Sequence, residues 1–312
     1  MRLSGPGFTP QARRNGSHAG LHRLRVRSVT GDIRALLARH LPDYRVRSVS
    51  RLGHGLDNFV YEVNDELLVR RSRVADPQAN RQEVARLAAV RELSPLPVPE
   101  VVFADDETGT IAYRKLPGTP LNQHRNGNLT PAALAEPLGA FLSAIHGAIP
   151  GTMRDLAPLD VYPAPTLLQD AELDYRDVEQ HVPEAQRPLV ERFLHDDPPD
   201  EPPSLRFCHN DLGAEHVLVD PATSTITGII DWTDAAITDP AHDFALLYRD
   251  LGPQVFELTL EHYEFTVTGE DRERILFYAR CALIEDLAYG LSTGPRHYAD
   301  AALAHLPWTF AP

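Results

Sequence analysis

The segment 209–216, which reads His-Asn-Asp-Leu-Gly-Ala-Glu-His, holds the side chains best placed for chemistry. Asp211 lies where an apolar run ends in a polar loop. His216 follows five residues later, and a second apolar run ends on Asp231, twenty residues after Asp211. Phosphoryl transfer needs one carboxylate to orient the attacking hydroxyl and further ligands to hold metal against the phosphate oxygens. Any one of these residues could merely cap a turn at a strand end, but the three together favour catalysis if a hairpin joins the two runs.

A glycine-containing segment in the first half of the chain is a second candidate. Gly53-His-Gly55, followed by Asn58, lies between two runs that alternate like strands. A turn without side chains lets backbone amides approach a phosphate, although glycine is also common in ordinary hairpin turns. The chain contains no Gly-Lys-Ser/Thr sequence, so this is not a Walker-type phosphate loop.

The elements that must position these residues follow from hydrophobic periodicity. Proline residues at 95, 97 and 99 end the second helix, and a Pro-Gly-Thr-Pro loop at 117–120 divides the chain. In the first part we predict helices over 32–41 and 77–93, and strands over 44–52, 59–63, 66–70, 101–104 and 110–113. In the second part we predict a helix over 131–149, strands over 207–209, 217–220 and 226–230, and mostly helix over 240–312.

Composition limits the classes of protein to consider. The 312 residues are 43% hydrophobic and 24% charged, as in ordinary globular proteins. No apolar run approaches the roughly 18 residues of a membrane span, and no secretory leader is recognisable. Cys208 and Cys281 are too few for a disulfide framework or a metal quartet. We therefore predict a cytoplasmic protein without a membrane interaction.

Charge is distributed unevenly along the chain. Residues 1–51 hold eleven Arg and two acids, and the rest is strongly acidic, since the net charge is −14. Such a body should repel nucleic acid and attract cationic small molecules, although an acidic surface can also serve solubility alone. Residues 1–28 are rich in Gly, Ser and Arg, and we predict a disordered arm there.

The motifs around Asp211 and Asp231 resemble those of a known family. The segment 207–220, with Thr-Gly-Ile-Ile-Asp-Trp at 227–232 and Asp-Pro-Ala-His-Asp at 239–243, is similar to the aminoglycoside and macrolide phosphotransferases. These antibiotic kinases are distant relatives of the protein kinases. The resemblance extends over roughly residues 30–290 of this chain.

The resemblance implies an α+β, bilobal protein-kinase-like fold, with an antiparallel-sheet N-lobe at 29–116 and a mostly helical C-lobe at 117–312. It implies that Asp211 is the catalytic base, that Asp231 binds Mg²⁺, and that Asp243 anchors the catalytic loop. The phosphate donor would be ATP or GTP.

The resemblance also implies a nucleotide site in the N-lobe. Lys115 is the only lysine in the chain, so Arg70 would replace the lysine that reaches the α- and β-phosphates, and Glu83 would pair with it. Arg71 would point to the opposite face of the strand. The segment 113–118 resembles the hinge between the lobes, where backbone groups bind the purine. The predicted nucleotide-binding residues are Gly53, Gly55, Asn58, Arg70, Glu83, Tyr113, Arg114 and Lys115.

His216 departs from the general kinase pattern, which has Asn at this position, although some antibiotic kinases share the His. Mg²⁺ prefers oxygen ligands over imidazole. Three roles stay open: His216 binds the metal through nitrogen, binds it through a water, or acts as a hydrogen-bonding residue.

The acceptor is expected to be a small cationic molecule of the aminoglycoside type, bound by acids of the helical region. A macrolide is the alternative, and it needs an apolar cleft with one acid. Choline, homoserine or amino-sugar kinases and a catalytically silent pseudokinase are further alternatives. The candidate acids are Asp234, Glu261, Glu264, Glu285 and Asp286.

Overall fold

A computed structural model of the chain describes residues 22–54, 58–124, 129–148 and 150–311. Within these residues the helices are α1 (His22–His40), α2 (Pro77–Leu93), α3 (Pro131–His146), α4 (Pro150–Met153), α5 (Ala164–Val178), α6 (Arg187–His195), α7 (Ala241–Glu261), α8 (Gly269–Ser292) and α9 (Arg296–Thr309). The strands are β1 (Val49–His54), β2 (Asn58–Val63), β3 (Leu67–Ser72), β4 (Val101–Asp105), β5 (Thr110–Arg114), β6 (Thr119–Pro120), β7 (Arg206–Cys208), β8 (Val217–Val219), β9 (Ile226–Ile229) and β10 (Ala236–Thr238).

The N-terminal part is a five-stranded antiparallel sheet in the order β1-β2-β3-β5-β4. Asn64 and Asp65 have φ angles of 58° and 64°, the left-handed conformation that these short polar residues tolerate in hairpin turns. The Asn64 side chain also accepts from the amides of Arg47 and Ser48 and donates to the carbonyl of Arg45. These bonds hold the preceding segment as a loop, so β1 begins at Val49 and not at the predicted residue 44.

Each of the two parts of the molecule has its own hydrophobic cluster. In the first, Ile33 and Leu37 of α1 pack with Val63 and Val69 of the sheet, where strand alternation turns every second side chain to one face. The second contains most of the buried residues of the C-terminal part, together with Leu87 and Val90 of α2. Helix α2 also contacts β4 and β5 of the sheet, so it packs against both parts. The proposed lobe boundary after residue 116 lies between β5 and β6.

Helix α2 has clear end signals in the sequence. The Asp76 side chain caps it by accepting from the amides of Gln78 and Ala79, and Pro77 occupies its first turn. It ends at Leu93 before Ser94 and Pro95, which is the predicted span of 77–93. Similarly, Thr130 caps α3 at Pro131, although this helix ends at His146, three residues before the predicted end.

The C-terminal part combines five short strands with a group of helices. Strands β6, β8 and β9 form one sheet, and β7 pairs with β10 in another. Helix α7 is interrupted at Gly252, whose φ is 79°, and it packs against α3, α8 and α9. The exits of β7 and β9 lie close together, because His209 bonds to the carbonyl of Ile230, and the exit of β7 bonds to Asp243 at the start of α7.

The expected α+β fold with an antiparallel N-terminal sheet and a helical C-terminal part is confirmed. A further expectation differs: α1 begins at His22, so residues 22–28 of the expected disordered arm are helical. Arg and Leu, frequent in this stretch, are good helix formers; residues 1–21 lie outside the described residues. Among the described helices, none has the length and apolar character needed to cross a membrane.

Candidate active site

The loop between β7 and β8 carries Asp211. Its first turn is fixed by His209, which is fully buried, donates from Nε2 to the carbonyl of Ile230 (3.0 Å) and accepts at Nδ1 from the amide of Asp211 (3.3 Å). Burial lowers the pKa of His209 to about 4, so the ring is neutral and can accept at Nδ1. Asn210 next to it adopts a φ of 65°, which turns the chain sharply toward the cleft.

Asp243, at the start of α7, anchors this loop from below. Its Oδ2 accepts from the amide of His209 (3.0 Å) and lies 3.0 Å from Nε2 of His146, and its Oδ1 accepts from the amide of Asn210 (2.7 Å). Burial raises the pKa of Asp243, but these partners outweigh it and hold the pKa below its ordinary value. The geometry supports the anchoring role that the family resemblance implied.

Asp250, two helical turns further along α7, holds the other end of the loop. Its Oδ2 accepts from the amide of Ala214 at 2.8 Å. Arg249, which pairs with Asp250 at 2.7 Å and with Asp286 at 2.8 Å, balances the buried carboxylate. The loop is thus tied to a single helix at both ends, and the sequence analysis did not identify Asp250.

Asp211 presents its carboxyl group to the cleft, with the side chain 37% exposed. Burial raises the pKa of Asp211 to about 8; nearby His216 opposes this shift, whereas Asp234 and Asp231 add to it. A carboxyl group with this pKa is a stronger proton acceptor than an ordinary aspartate. The side chain that the sequence nominated as base therefore lies among other carboxylates in an open recess.

His216 lies between the two acids predicted to accompany it. Its Nδ1 donates to the carbonyl of Asp211 at 2.7 Å, and its Nε2 lies 3.8 Å from Oδ2 of Asp231. Burial lowers the pKa of His216, but the carboxylates of Asp211 and Asp231 outweigh this and raise it overall. With Nδ1 engaged, Nε2 is the ring atom directed at Asp231.

Asp231 lies just after β9 in an unusual backbone conformation, with a φ of 62°. The next residue, Trp232, is 2% exposed, packs against His209 and Phe207, and donates to the carbonyl of Ile229. Burial opposes ionisation of Asp231, but His216, Thr233, His209 and Arg70 together lower its pKa. Asp231 is therefore an ionised carboxylate whose side chain is 52% exposed toward the cleft.

The donors of Asp231 and His216 fit a divalent cation. A single carboxylate with open surroundings suits Mg²⁺, which keeps several waters and takes few protein ligands. The imidazole Nε2 is a second donor on the same side, although it is the less favoured ligand type. A buried group of His146, Cys208 and Asp243 also has metal-ligand spacing, but His146 and Asp243 bond to each other and Cys208 bonds to the carbonyl of Thr238, so that group is a hydrogen-bonded network.

Arg70 and Glu83 form an ion pair between β3 and α2, with both side chains mostly buried. Tyr113 donates from its hydroxyl to the other oxygen of Glu83 at 2.9 Å, and burial raises the pKa of the Tyr113 hydroxyl. Arg71 points the other way, toward Asp32 at 3.5 Å. The predicted strand register at Arg70 is therefore the one observed.

The side chains of Arg114 and Lys115 face away from this cleft. Arg114 lies 3.2 Å from Glu100, and Lys115 pairs with Glu62 at 2.6 Å and with Asp65. Their amides already donate to the carbonyls of Glu100 and Glu66. A purine contact by these two residues must therefore use their carbonyl oxygens.

The glycine-containing segment is described only in part. Gly53 is a β1 residue that pairs with Val60 beyond a bulge at Leu52, and Gly55 lies outside the described residues. Asn58 begins β2 and accepts from the Ser72 hydroxyl at 3.1 Å. The bulge and this bond hold the two strand ends that flank the segment.

Three residues near the site were missed by the sequence analysis. Thr233 contacts Arg70 (3.2 Å), Arg86 of α2 donates to the carbonyl of Thr233 (3.3 Å), and Asp160 accepts from Asn210 (3.1 Å). Asp160 lies in the proline-rich stretch 150–203, where periodicity is weak.

The acids that the sequence nominated for the acceptor site lie in different places. Asp234 lies beside Asp211 and Asp231, and Glu285 lies beside Asp170. Glu261 and Glu264 are exposed around the end of α7.

Solved structures with this fold include antibiotic-modifying enzymes. The GDP complex of aminoglycoside 2'-phosphotransferase-IIIa superposes with a TM-score of 0.69 at 19% identity, covering 89% of this chain and 97% of that one. Macrolide 2'-phosphotransferase MphH from Brachybacterium faecium superposes with a TM-score of 0.61 at 24% identity, covering 88% and 97%. At these identities the likeness shows the fold.

Curated relatives match over shorter segments. An aminoglycoside 3'-phosphotransferase from Streptomyces fradiae is 36% identical over 86 residues, which are 25% of this chain and 31% of that protein. The uncharacterized protein YcbJ of Bacillus subtilis (strain 168) is 39% identical over 56 residues, 18% of each protein. This chain therefore spans less than a third of the length of either relative in these matches.

The model of the phosphotransferase enzyme family (APH) matches residues 48–278, from β1 to within α8. That range includes the Arg70–Glu83 pair, the loop of Asp211 and His216, and Asp231. The resemblance predicted from the motifs is confirmed, and this chain belongs to the phosphotransferase enzyme family.

Proposed function

We propose that this protein transfers the γ-phosphoryl group of ATP or GTP to a hydroxyl group of a small cationic molecule of the aminoglycoside type. One observation carries the proposal: the Asp211 carboxyl group lies on a loop tied to α7 at both ends and opens into the same recess as Asp231 and His216. A fixed carboxylate beside a candidate metal site is what phosphoryl transfer requires.

In this proposal Asp211 accepts a hydrogen bond from the acceptor hydroxyl, orients it for attack and takes its proton. Its raised pKa suits a base that works near neutral pH. Arg70, held by Glu83, donates to phosphate oxygens, and a guanidinium can do so with two parallel N–H groups. Mg²⁺, when bound by Asp231 and His216, supplies positive charge against the phosphate oxygens.

The rest of the nucleotide site is part of the same proposal. Gly53, Gly55 and Asn58 would cover the phosphates, and Tyr113 would line the base pocket while it holds Glu83. Arg114 and Lys115 would contribute only backbone carbonyls, because their side chains and amides are engaged. GDP and ADP complexes of proteins with this fold support nucleotide use.

Acidic side chains around the recess support a cationic acceptor. Asp160 accepts from Asn210, next to Asp211. Two residues further along, Tyr162 donates to Asp170, which forms an acidic group on α5 and α8 with Asp174 and Glu285. Burial, Glu285 and Asp170 raise the pKa of Asp174 to about 6, so the negative charge of these acids is not fully balanced by positive charge. A polyamine would supply that positive charge, and the structure of one protein with this fold contains kanamycin and GDP.

A macrolide-type acceptor is the second candidate, and an apolar surface favours it. Leu159, Val161 and Tyr162 are 68%, 49% and 45% exposed and flank Asp160, which is hydrogen-bonded to the residue before Asp211. An apolar surface with one acid suits a large ring that carries a single amine. Macrolide phosphotransferases are among the structures with this fold.

Substitution of Asp211 by Asn tests the proposal. Wild-type protein with Mg²⁺ and ATP or GTP is incubated with aminoglycosides, macrolides, choline, homoserine and amino sugars, and phosphorylated product is measured by mass spectrometry. We expect D211N to bind nucleotide normally and to lose transfer by a factor of about 10² to 10⁴, the usual contribution of a general base. Asp200→Asn, at an exposed position, is the matched control.

Two results would refute parts of this proposal. Near-normal turnover by D211N would show that Asp211 is not the base. Nucleotide binding by wild-type protein without transfer to any compound in the panel would favour the pseudokinase alternative. Product from macrolides alone would select the second acceptor class.

A further inference from the structure

Thr233 lies two residues after Asp231, at the cleft between the N-terminal sheet and the helical part. Its Oγ1 accepts from Nη1 of Arg70 at 3.2 Å, and the Thr233 side chain also helps to lower the pKa of the nearby Asp231 carboxyl group. A hydroxyl has one hydrogen to donate and lone pairs to accept with. The guanidinium therefore donates to the Thr233 oxygen, which leaves the hydroxyl hydrogen available to Asp231.

The local fold fixes Thr233 in this position. The left-handed conformation of Asp231 reverses the chain directly after β9, and Trp232 is buried in the core beneath it. Because Trp232 points inward, its two neighbours are turned out toward the cleft, and both are exposed. The sequence Asp-Trp-Thr thus places a carboxylate and a hydroxyl side by side above a single anchor.

The backbone of Thr233 is tied to the other side of the cleft as well. Its carbonyl accepts from Nη2 of Arg86 at 3.3 Å, and Nη1 of Arg86 donates to the carbonyl of Leu156. Arg86 lies one turn after Glu83 on α2, so the helix that holds Arg70 also holds the loop of Asp231. A continuous chain of contacts runs from Glu83 through Arg70 to Thr233, which lies two residues after Asp231.

We propose that Thr233 is a positioning residue that couples nucleotide binding at Arg70 to Mg²⁺ binding at Asp231. The inference rests on the proposed function, in which Arg70 binds phosphate and Asp231 binds the metal. One hydroxyl restrains both groups before either ligand arrives, and preorganisation of this kind reduces the cost of ordering them on binding. Because coupling between two binding sites is reciprocal, each ligand should strengthen the binding of the other through this contact.

Three variants separate the hydroxyl from the shape of the side chain. Thr233→Val keeps the branched shape without hydrogen bonds, Thr233→Ser keeps the hydroxyl, and Thr223→Val makes the same change at an exposed position in the turn after β8. Dissociation constants of ATP and GTP are measured by calorimetry with and without Mg²⁺. The coupling is the factor by which Mg²⁺ tightens nucleotide binding.

We expect T233V to reduce this factor about 5- to 10-fold, the effect of one exposed hydrogen bond to charged partners. T233S and T223V should retain the wild-type factor, and the KM for the acceptor should be unchanged in all three variants. In an Arg70→Ala background T233V should have no further effect on the factor, because the contact is already lost. Thermal unfolding of each variant confirms that it is folded.

An unchanged factor in folded T233V, or an equal loss in T233S, would overturn the inference while leaving the proposed function intact. A wild-type protein that binds neither nucleotide would overturn both. Transfer activity is not needed for this measurement, so the two failures are distinguishable.

Discussion

Substitution of Asp243 by Asn tests whether the loop of Asp211 is held by a buried charge. The Asp243 carboxylate is completely buried and has three partners: the amides of His209 and Asn210 and the imidazole of His146. Asn has nearly the same shape, but it offers a single acceptor oxygen and places an NH₂ group where the second oxygen was. Whichever way the Asn side chain is turned, its NH₂ group would face an N–H donor and could not accept a hydrogen bond from it.

The expected loss of stability follows from this count. A hydrogen bond to a charged group contributes about 1.5–3 kcal/mol, and Asn can keep the partners of only one of the two oxygens. We therefore expect D243N to lower the free energy of unfolding by about 3–5 kcal/mol at pH 7, as for other broken buried pairs. Transfer activity should fall as well, since Asp211 directly follows the two anchored amides.

The loss should depend on pH in a defined direction. The pKa of Asp243 is held below its ordinary value of 3.8 in the folded protein. Its stabilisation is therefore complete above that value and is lost as the pH falls through the folded-state pKa. In D243N this contribution is absent at every pH, so the difference between the two proteins should shrink below about pH 4.

Urea unfolding followed by tryptophan fluorescence from pH 7 down to pH 3 measures this difference, with D200N as a surface control. Other carboxylates titrate in both proteins and cancel in the difference. A gap at pH 7 of less than about 1 kcal/mol, the size of one ordinary hydrogen bond, would refute the anchoring role of the charge. A gap that stays constant down to pH 3 would refute the pKa argument.

Two further substitutions test the proposed nucleotide and metal residues. Arg70→Ala should weaken nucleotide binding at least about tenfold, because it removes the proposed charged phosphate ligand and leaves Glu83 without its ion-pair partner. Arg71 faces Asp32, so the Arg71→Ala variant should bind nucleotide normally in the same calorimetric titration. Weaker binding by R71A instead of R70A would contradict the observed register. His216→Ala should raise the Mg²⁺ concentration needed for half-maximal transfer, whereas His216→Asn, which offers an oxygen ligand, should keep that concentration near the wild-type value. Equal Mg²⁺ requirements in the wild type and H216A would exclude His216 as a direct ligand.

Short-range patterns made much of this site predictable from the sequence. The spacing from Asp211 to Asp231 reflects two strand exits, and Arg70 was located by the alternation of a single strand. The ion pair of Lys115 with Glu62 was not predictable, because it depends on how β5 lies beside the neighbouring strands. Thr233 escaped notice for the same reason: its partner Arg70 is 163 residues away, and no local periodicity reports such a contact.

The arrangement of α7 explains how a polar loop can stay rigid enough for catalysis. Asp243 and Asp250 are seven residues apart, two helical turns, and so lie on the same face of the helix. One accepts from the amides just before Asp211, and the other accepts from the amide three residues after it. Gly252 breaks the helix immediately beyond this pair, so the straight part of α7 is the part that carries both anchors. Asp211, the proposed base, is therefore positioned by a buried helix face, whereas the proposed metal ligand Asp231 depends on the burial of Trp232 beside it.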